Sequence, residues 1–165
     1  MKLTRSITCA LALAAGAMAL GDEAGERQAI IDTVQELFDA MQAADGERLR
    51  TVLTPSGMIF GYSQSADGIQ LTTSSHHEFI DGLVTSEREF IERFWDPQVL
   101  IHDHMATVWT PYDLWIDGAF SHCGIDSFQL VKADDRWKIA GILYSVEREG
   151  CAESPLGPLD EGESE

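Results

Sequence analysis

The sequence is poor in basic residues and lacks the common nucleotide-binding and nucleophile motifs. Lysine and arginine together number 11 against 28 aspartates and glutamates, so the 165-residue chain carries a formal net charge of −17. Such a surface repels nucleic acid and anionic membranes, and we expect neither as a partner. Beyond the first 21 residues, no apolar run is long enough to span a membrane. We find no glycine-rich phosphate loop, serine-nucleophile elbow or cysteine–histidine nucleophile pattern, which argues against the enzyme classes that use them.

The N-terminus has the pattern of a secretory leader. Lys2 and Arg5 form a basic head, residues 7–15 are an apolar run too short to cross a bilayer, and residues 17–19 (AMA) match a small-x-small cleavage site. We therefore predict a signal peptide at residues 1–19 and an exported protein, periplasmic or secreted. The alternative interpretation is a buried N-terminal helix.

Cysteine is scarce, and Cys123 and Cys151 are the two that follow the leader. In an oxidising compartment, a pair of cysteines favours one disulfide, although two unpaired thiols are the alternative. The bridge would tie the C-terminal end of the chain to the sheet. Residues 152–165 are acidic and rich in proline and glycine, so we expect a disordered tail there.

The order of predicted elements is helices first and strands afterwards. Apolar residues three and four apart predict a long helix over residues 27–44, and Asp45 can cap a short second helix. This order indicates an α+β domain over residues 26–151. Two capping-box patterns and several β-branched or aromatic runs predict the remaining elements: strands over 58–63 and 69–73, helices over 76–84 and 87–95, and strands over 98–104, 107–116, 120–132 and 137–147.

Several stretches of the sequence resemble a known superfamily. Residues 34–45 (VQELFDAMQAAD) look like its first helix, and residues 135–139 (DRWKI) look like the entry to its last strand. The segments PY at 111–112, HCG at 122–124 and FQL at 128–130 are similar to exported bacterial members of uncharacterised function. The superfamily is the nuclear-transport-factor-2-like one, which includes SnoaL-like cyclases, ketosteroid isomerase and scytalone dehydratase.

This resemblance implies a cone-shaped, cystatin-like fold with an apolar pocket. A curved antiparallel sheet would wrap around the long N-terminal helix, and a homodimer would form through the outer face of the sheet. The strand predicted over residues 137–147 is apolar on both faces, as a dimer would require, although loops could cover its second face equally well.

Strand alternation places His122, Asp126 and Phe128 on one face, pointing into the cone. With a simple two-residue hairpin at residues 117–118, Asp113 would lie opposite His122, and Trp109 opposite Asp126. A bulge near Pro111 would change this register. A carboxylate beside an imidazole raises its basicity, so His122 with Asp113 or Asp126 is a candidate general base. The alternative is a hydrogen-bonded pair with a purely structural role.

Aromatic side chains with polar tips can line a pocket for an apolar ligand, or they can simply pack. The candidates for ligand binding are Tyr62, Trp95, Trp109, Tyr112 and Phe128.

The residues of the characterised isomerase are missing from this chain. Leu37 stands where that enzyme has a tyrosine, and Gly61 stands where it has a carboxylate base.

His102 and His104 share a strand face without an identifiable third ligand, so we predict no metal and no cofactor. The sequence therefore favours a module that binds a small apolar or aromatic molecule without turnover. The alternative is a cofactor-free lyase, isomerase or cyclase that uses the His–Asp base.

Overall fold

The computed structural model describes residues 11–65 and 68–159, with side chains from residue 23 onward. Of the predicted signal peptide, residues 1–10 lie outside this description, and the backbone of residues 11–19 belongs to the first helix. Among the described residues, no helix combines the length and apolar character needed to cross a membrane.

Three helices cover one side of the molecule: α1 (Leu11–Gln42), α2 (Gly46–Val52) and α3 (His76–Val84). The three-and-four spacing of apolar residues in α1 puts Val34, Leu37 and Phe38 in the core, as the sequence predicts. Asp45 caps α2 by accepting hydrogen bonds of 3.0 Å from two backbone amides of its first turn. Ser75 opens α3 with a complete capping box.

Seven strands in the described part of the chain form one curved sheet against these helices. Its order is β2-β1-β7-β6-β5-β3, and β4 also pairs with β5. All pairings are antiparallel except that of β1 with β7, which is parallel. The sheet and helices give the α+β cone that the sequence predicts. The strands are β1 (Leu53–Ser65), β2 (Gly68–Ser75), β3 (Phe90–Phe94), β4 (Gln98–His102), β5 (Met105–Ile116), β6 (Ala119–Ala133) and β7 (Arg136–Val146).

The helix predicted over residues 87–95 is wrong, because this segment holds strand β3. Its capping pattern produces only a turn, in which Ser86 Oγ accepts a 3.1 Å bond from the Arg88 amide. Asp117 accepts a second bond, of 2.9 Å, from the Glu89 amide, which aligns the chain for pairing with β5. Tertiary pairing therefore overrides a local helix-start pattern of modest energy.

The predicted register between β5 and β6 is wrong by one residue. A bulge falls between Leu114 and Trp115, close to the turn, so that His122 lies opposite Leu114 and Asp113 lies opposite Cys123. Asp126 lies opposite Thr110 rather than Trp109. Because side chains alternate along a strand, the slip turns Asp113 to the outer face of the sheet.

The predicted disulfide between Cys123 and Cys151 is confirmed, with the two Cα atoms 5.9 Å apart. It fixes the chain that follows β7 to the outer side of β6. Beyond it, Arg93 Nη2 donates a 2.9 Å hydrogen bond to the carbonyl of Gly157. Disorder over residues 152–165 stays a prediction, and residues 160–165 lie outside the described residues.

Candidate ligand-binding cavity

A cavity of about 700 Å³ lies between the inner face of the sheet and helices α1 and α3. This volume is within the range of small-molecule sites. Most of its wall is apolar, because the core faces of α1 and of several strands contribute to it. The apolar lining includes Leu37, Phe38, Met41, Ile59, Leu83, Phe128 and Ile142.

Five of the predicted site residues line this cavity: His122, Asp126, Tyr62, Tyr112 and Phe128. Strand alternation predicts the inward face of β6 correctly, since its even-numbered residues from 122 to 130 face inward and all five are buried. Tyr112 faces inward from β5, opposite Gly124.

The other three predicted site residues lie elsewhere. Asp113 is 3% exposed on the outer face, where Arg93 Nε and Nη2 hold it at 2.9 and 2.6 Å. Trp95 lines a smaller outer hollow of about 250 Å³ beside the disulfide, and Trp109 is 48% exposed. The predicted His122–Asp113 contact is therefore absent, because the bulge puts the two side chains on opposite faces.

His122 has a hydroxyl rather than a carboxylate as its partner. Its Nδ1 lies 2.9 Å from Ser121 Oγ, and its ring meets the edge of Tyr112 at 5.8 Å between centroids. Burial lowers the pKa of His122, and the positive charge of Arg148 lowers it further, so the imidazole is neutral near pH 7. Asp126 is four residues along the same strand, roughly 13 Å of extended chain.

Asp126 instead contacts Glu92, a residue that the sequence analysis missed. Asp126 is 2% exposed, and its Oδ2 atom has no hydrogen-bond partner among the described residues. Burial raises the pKa of Glu92 to about 7. Burial, and then the adjacent Glu92, raise the pKa of Asp126 well above its usual range. Two carboxyl groups in contact without a cation retain a shared proton near neutral pH.

Glu92 was missed because residues 87–95 were interpreted as a helix. The alternation in β3 was the available clue, since Phe90, Glu92 and Phe94 share one face and Ile91 and Arg93 the other. A glutamate in phase with two phenylalanines indicates a carboxyl group directed into the core.

Comparison with known proteins decides the family. A family model described as "Putative lumazine-binding" matches residues 25–145, which is most of the chain. The chain belongs to this family. It is an NTF2-like and SnoaL-like family, as the sequence resemblance implies. No curated protein matches the chain significantly.

Solved structures support the same fold for this lumazine-binding-family chain. An NTF2-like protein from Cytophaga hutchinsonii has 15% identity and a TM-score of 0.62, covering 73% of this chain and 98% of that one. An NTF2-like superfamily protein from Salmonella enterica has 14% identity and a TM-score of 0.59, covering 80% and 99%. A Nostoc punctiforme protein of unknown function with a cystatin-like fold has 13% identity and a TM-score of 0.60, covering 74% and 92%.

Two glycines in this family member make room for two tyrosines over the cavity wall. A Cβ atom on Gly124 would lie 2.8 Å from Tyr112 Cε1 and 2.1 Å from the Ser145 carbonyl oxygen. The Tyr112 hydroxyl crosses this gap and donates a 2.7 Å bond to that carbonyl. A Cβ on Gly61 would lie 2.6 Å from the Tyr144 hydroxyl. The Tyr144 phenol therefore covers Gly61.

The chemistry of this cavity is that of oriented carboxyl, imidazole and phenol groups. Among residues 11–65 and 68–159, no group of three or more histidine, cysteine, aspartate or glutamate side chains could hold a metal ion. His102 is 82% exposed and lies 3.6 Å from Asp103, outside the cavity. The arrangement can bind a ligand through hydrogen bonds, and it can hold or transfer a proton at Asp126 and Glu92.

Proposed function

We propose that this protein binds a small, largely apolar or aromatic molecule in its cavity. The observation that carries this proposal is the roughly 700 Å³ hollow, whose apolar wall is interrupted by a few buried polar groups. Such a composition is characteristic of ligand sites, since the apolar wall supplies affinity and the polar groups fix orientation. The family description names lumazine, a flat aromatic heterocycle, and a ligand of that class fits the cavity in size and polarity.

Fluorescence titration with lumazine as the probe tests this function. We expect saturable binding to the wild type and a loss of more than tenfold in affinity for Met41→Trp, which fills the cavity from α1. Trp109→Ala is the matched control, because Trp109 lies on the outer face and is 48% exposed. Absence of saturable binding, together with a native mass spectrum showing no retained small molecule, would contradict the proposal.

Catalysis is the second candidate, and the Glu92–Asp126 pair is the observation that favours it. A shared proton in an apolar cavity suits proton transfer in a cofactor-free lyase, isomerase or cyclase. The predicted His122–Asp113 base has no geometric support, because Asp113 is bound to Arg93 on the other face. The variant Asp126→Asn separates the two functions: unchanged ligand affinity with lost turnover supports an enzyme, and lost affinity alone supports a binding protein.

We also propose that the outer face of the sheet forms a homodimer. Phe60 on β1 pairs with Leu143 on β7, and Trp109 on β5 lies two strands further along the same row, with Ser127 on β6 between them. These three apolar side chains are 38%, 48% and 48% exposed, so they present a largely apolar row that Ser127 interrupts. Sedimentation velocity should give a dimer for the wild type and a monomer for the double variant Trp109→Glu, Leu143→Glu. A wild-type monomer at 0.1 mM protein would contradict the dimer.

We propose that the mature protein is exported after cleavage behind Ala19. The disulfide supports an oxidising compartment. Mass spectrometry of the protein from periplasm and medium should give a chain that begins at Leu20, and an intact chain in the cytoplasm would contradict export.

A further inference from the structure

We propose that the cavity selects a ligand with a planar, protonated nitrogen group, an aromatic amidinium or aminoheterocyclic cation, held by Glu92 and Asp126. This inference rests on the proposed ligand-binding function and specifies the chemical class of the ligand. The geometry behind it is a carboxyl pair in the wall of an apolar cavity, with one buried oxygen atom that no group of the described chain satisfies.

That oxygen atom is Asp126 Oδ2. Asp126 lines the cavity and is 2% exposed, yet its Oδ2 receives no hydrogen bond from the described residues. A buried acceptor without a donor costs about 1–3 kcal/mol. Glu92 brings a second carboxyl group into contact with Asp126, and no cation within the described residues pairs with either group. Two adjacent carboxyl groups present acceptors that match the paired N–H donors of an amidinium.

The other titratable groups in the described cavity wall supply no cation to the carboxyl pair. They are Tyr62, Glu78, Tyr112, His122, Tyr144 and Arg148. Within the described side chains, the lining residues of helix α1 are all apolar, and Arg148 is exposed beyond the end of β7, where it acts on His122. Arg93, adjacent to Glu92 in sequence, points to the outer face and is bound to Asp113. The formal charge of −17 on the chain also favours the approach of a cation over an anion.

Aromatic rings adjoin the carboxyl pair and suit a planar cation. Tyr112 faces Asp126 and Glu92 closely enough that both charges raise its pKa, after the larger effect of burial. Phe38 and Phe128 meet edge to face at 6.0 Å between centroids in the same wall. A cation over such rings gains cation–π attraction in addition to its ion pair.

Binding of this cation is coupled to release of a proton. Near pH 7 the empty pair holds a proton between its two carboxyl groups, because burial disfavours the doubly charged state. The positive charge of the bound ligand takes the place of the shared proton, and the pair releases that proton to the buffer. Affinity for a permanently protonated ligand should therefore rise as pH increases from about 5 to about 8.

Isothermal titration calorimetry with benzamidine and its neutral isostere benzamide tests the inference. At pH 7 we expect benzamidine to bind at least tenfold more tightly than benzamide. Titrations in buffers of different ionisation enthalpy should show that benzamidine binding releases close to one proton. The variants Asp126→Asn and Glu92→Gln should each lose at least tenfold in benzamidine affinity. Asp103→Asn is the control, because its side chain is 83% exposed outside the cavity.

The outcomes separate this inference from the proposed function. Equal affinities for benzamidine and benzamide, or binding without proton release in the wild type, overturn the cation proposal. Retained lumazine binding in that case leaves the proposed function standing. Failure of all three probes overturns both. The proton count comes from the wild type, so it decides the question even if one variant fails to fold.

Discussion

The two sides of strands β3, β5 and β6 deal with buried carboxyl groups in opposite ways. On the outer side, Asp113 is 3% exposed and is held by both nitrogen donors of Arg93 at 2.9 and 2.6 Å. On the inner side, Asp126 is 2% exposed and meets another carboxyl group. Two equally buried carboxyl groups can therefore have different roles. One that is paired with a cation holds the fold together, whereas one without a cation indicates a binding or proton-transfer site.

The outer side is also the more constrained of the two. Arg93 lies 5.6 Å from the centre of the Trp115 ring and donates to the Gly157 carbonyl, so it joins β3, β5 and the C-terminal segment. The disulfide closes the same region. The inner side instead has the larger empty volume, about 700 Å³ against about 250 Å³ on the outer side.

The largest predicted effect is the loss of the outer ion pair. Asp113→Asn should lower the free energy of unfolding by about 3–5 kcal/mol, because it leaves the charge of Arg93, whose side chain is 17% exposed, without its carboxylate partner. Urea denaturation at pH 7 measures this change. Asp117→Asn is the matched control, since its ion pair with Arg88 spans 2.9 Å but is more than half exposed, and the change should be far smaller. Equal effects for the two variants would refute the structural role of the outer pair.

Loss of the disulfide should have the next-largest effect on the stability of the protein. Replacing Cys123 and Cys151 together with serine opens a loop closed across 28 residues, which should cost about 3 kcal/mol. Thermal denaturation of the wild type with and without reductant should reproduce this loss, and the double variant should not respond to reductant. Ligand affinity should change little, because the bridge lies behind the outer face. A reductant-sensitive ligand affinity would show that the two sides of the sheet are coupled.

The Glu92–Asp126 pair on the inner side should lower the free energy of unfolding near neutral pH rather than raise it. The effect should be about 2 kcal/mol and should depend on pH. The pKa values of Glu92 and Asp126 are raised in the folded state, so the unfolded chain loses these protons first as pH rises. The pair's contribution to stability is therefore highest below about pH 4 and falls between about pH 4 and 7. Asp126→Asn removes part of this penalty, so variant and wild type should diverge over that window, with the variant gaining.

Urea denaturation from pH 4 to 8 measures the difference between variant and wild type. The difference matters because other groups titrate in the same range: burial lowers the pKa of His76, which destabilises the fold as pH falls through about 6.5. A pH-independent difference would mean that the carboxyl pair holds no extra proton.

The comparison also explains which parts of the molecule the sequence could predict. Periodicity predicts α1 from apolar residues three and four apart. It also predicts the inward face of β6, because alternation from the buried Phe128 places Asp126 and His122 on the same side. The position of Asp113 could not be predicted, since a bulge at residues 114 and 115 depends on side-chain packing near the turn. Glu92 could not be predicted as a site residue, because the capping pattern at Ser86 predicts a helix for this segment. Pairing with β5 makes the segment a strand instead.

The smallest predicted effect separates two tyrosines within the cavity wall. Tyr112→Phe should cost about 1 kcal/mol of stability, because its hydroxyl donates the 2.7 Å bond to the Ser145 carbonyl and leaves that acceptor unpaired when removed. Tyr144→Phe should cost less, since its hydroxyl makes no hydrogen bond with the part of the chain that the structure describes. Ligand affinity should reverse the ranking, because the Tyr144 hydroxyl is available to a ligand and that of Tyr112 is engaged. Titration of both variants with lumazine, alongside urea denaturation, tests this: a larger affinity loss for Tyr112→Phe would assign the backbone-bound phenol to the ligand site.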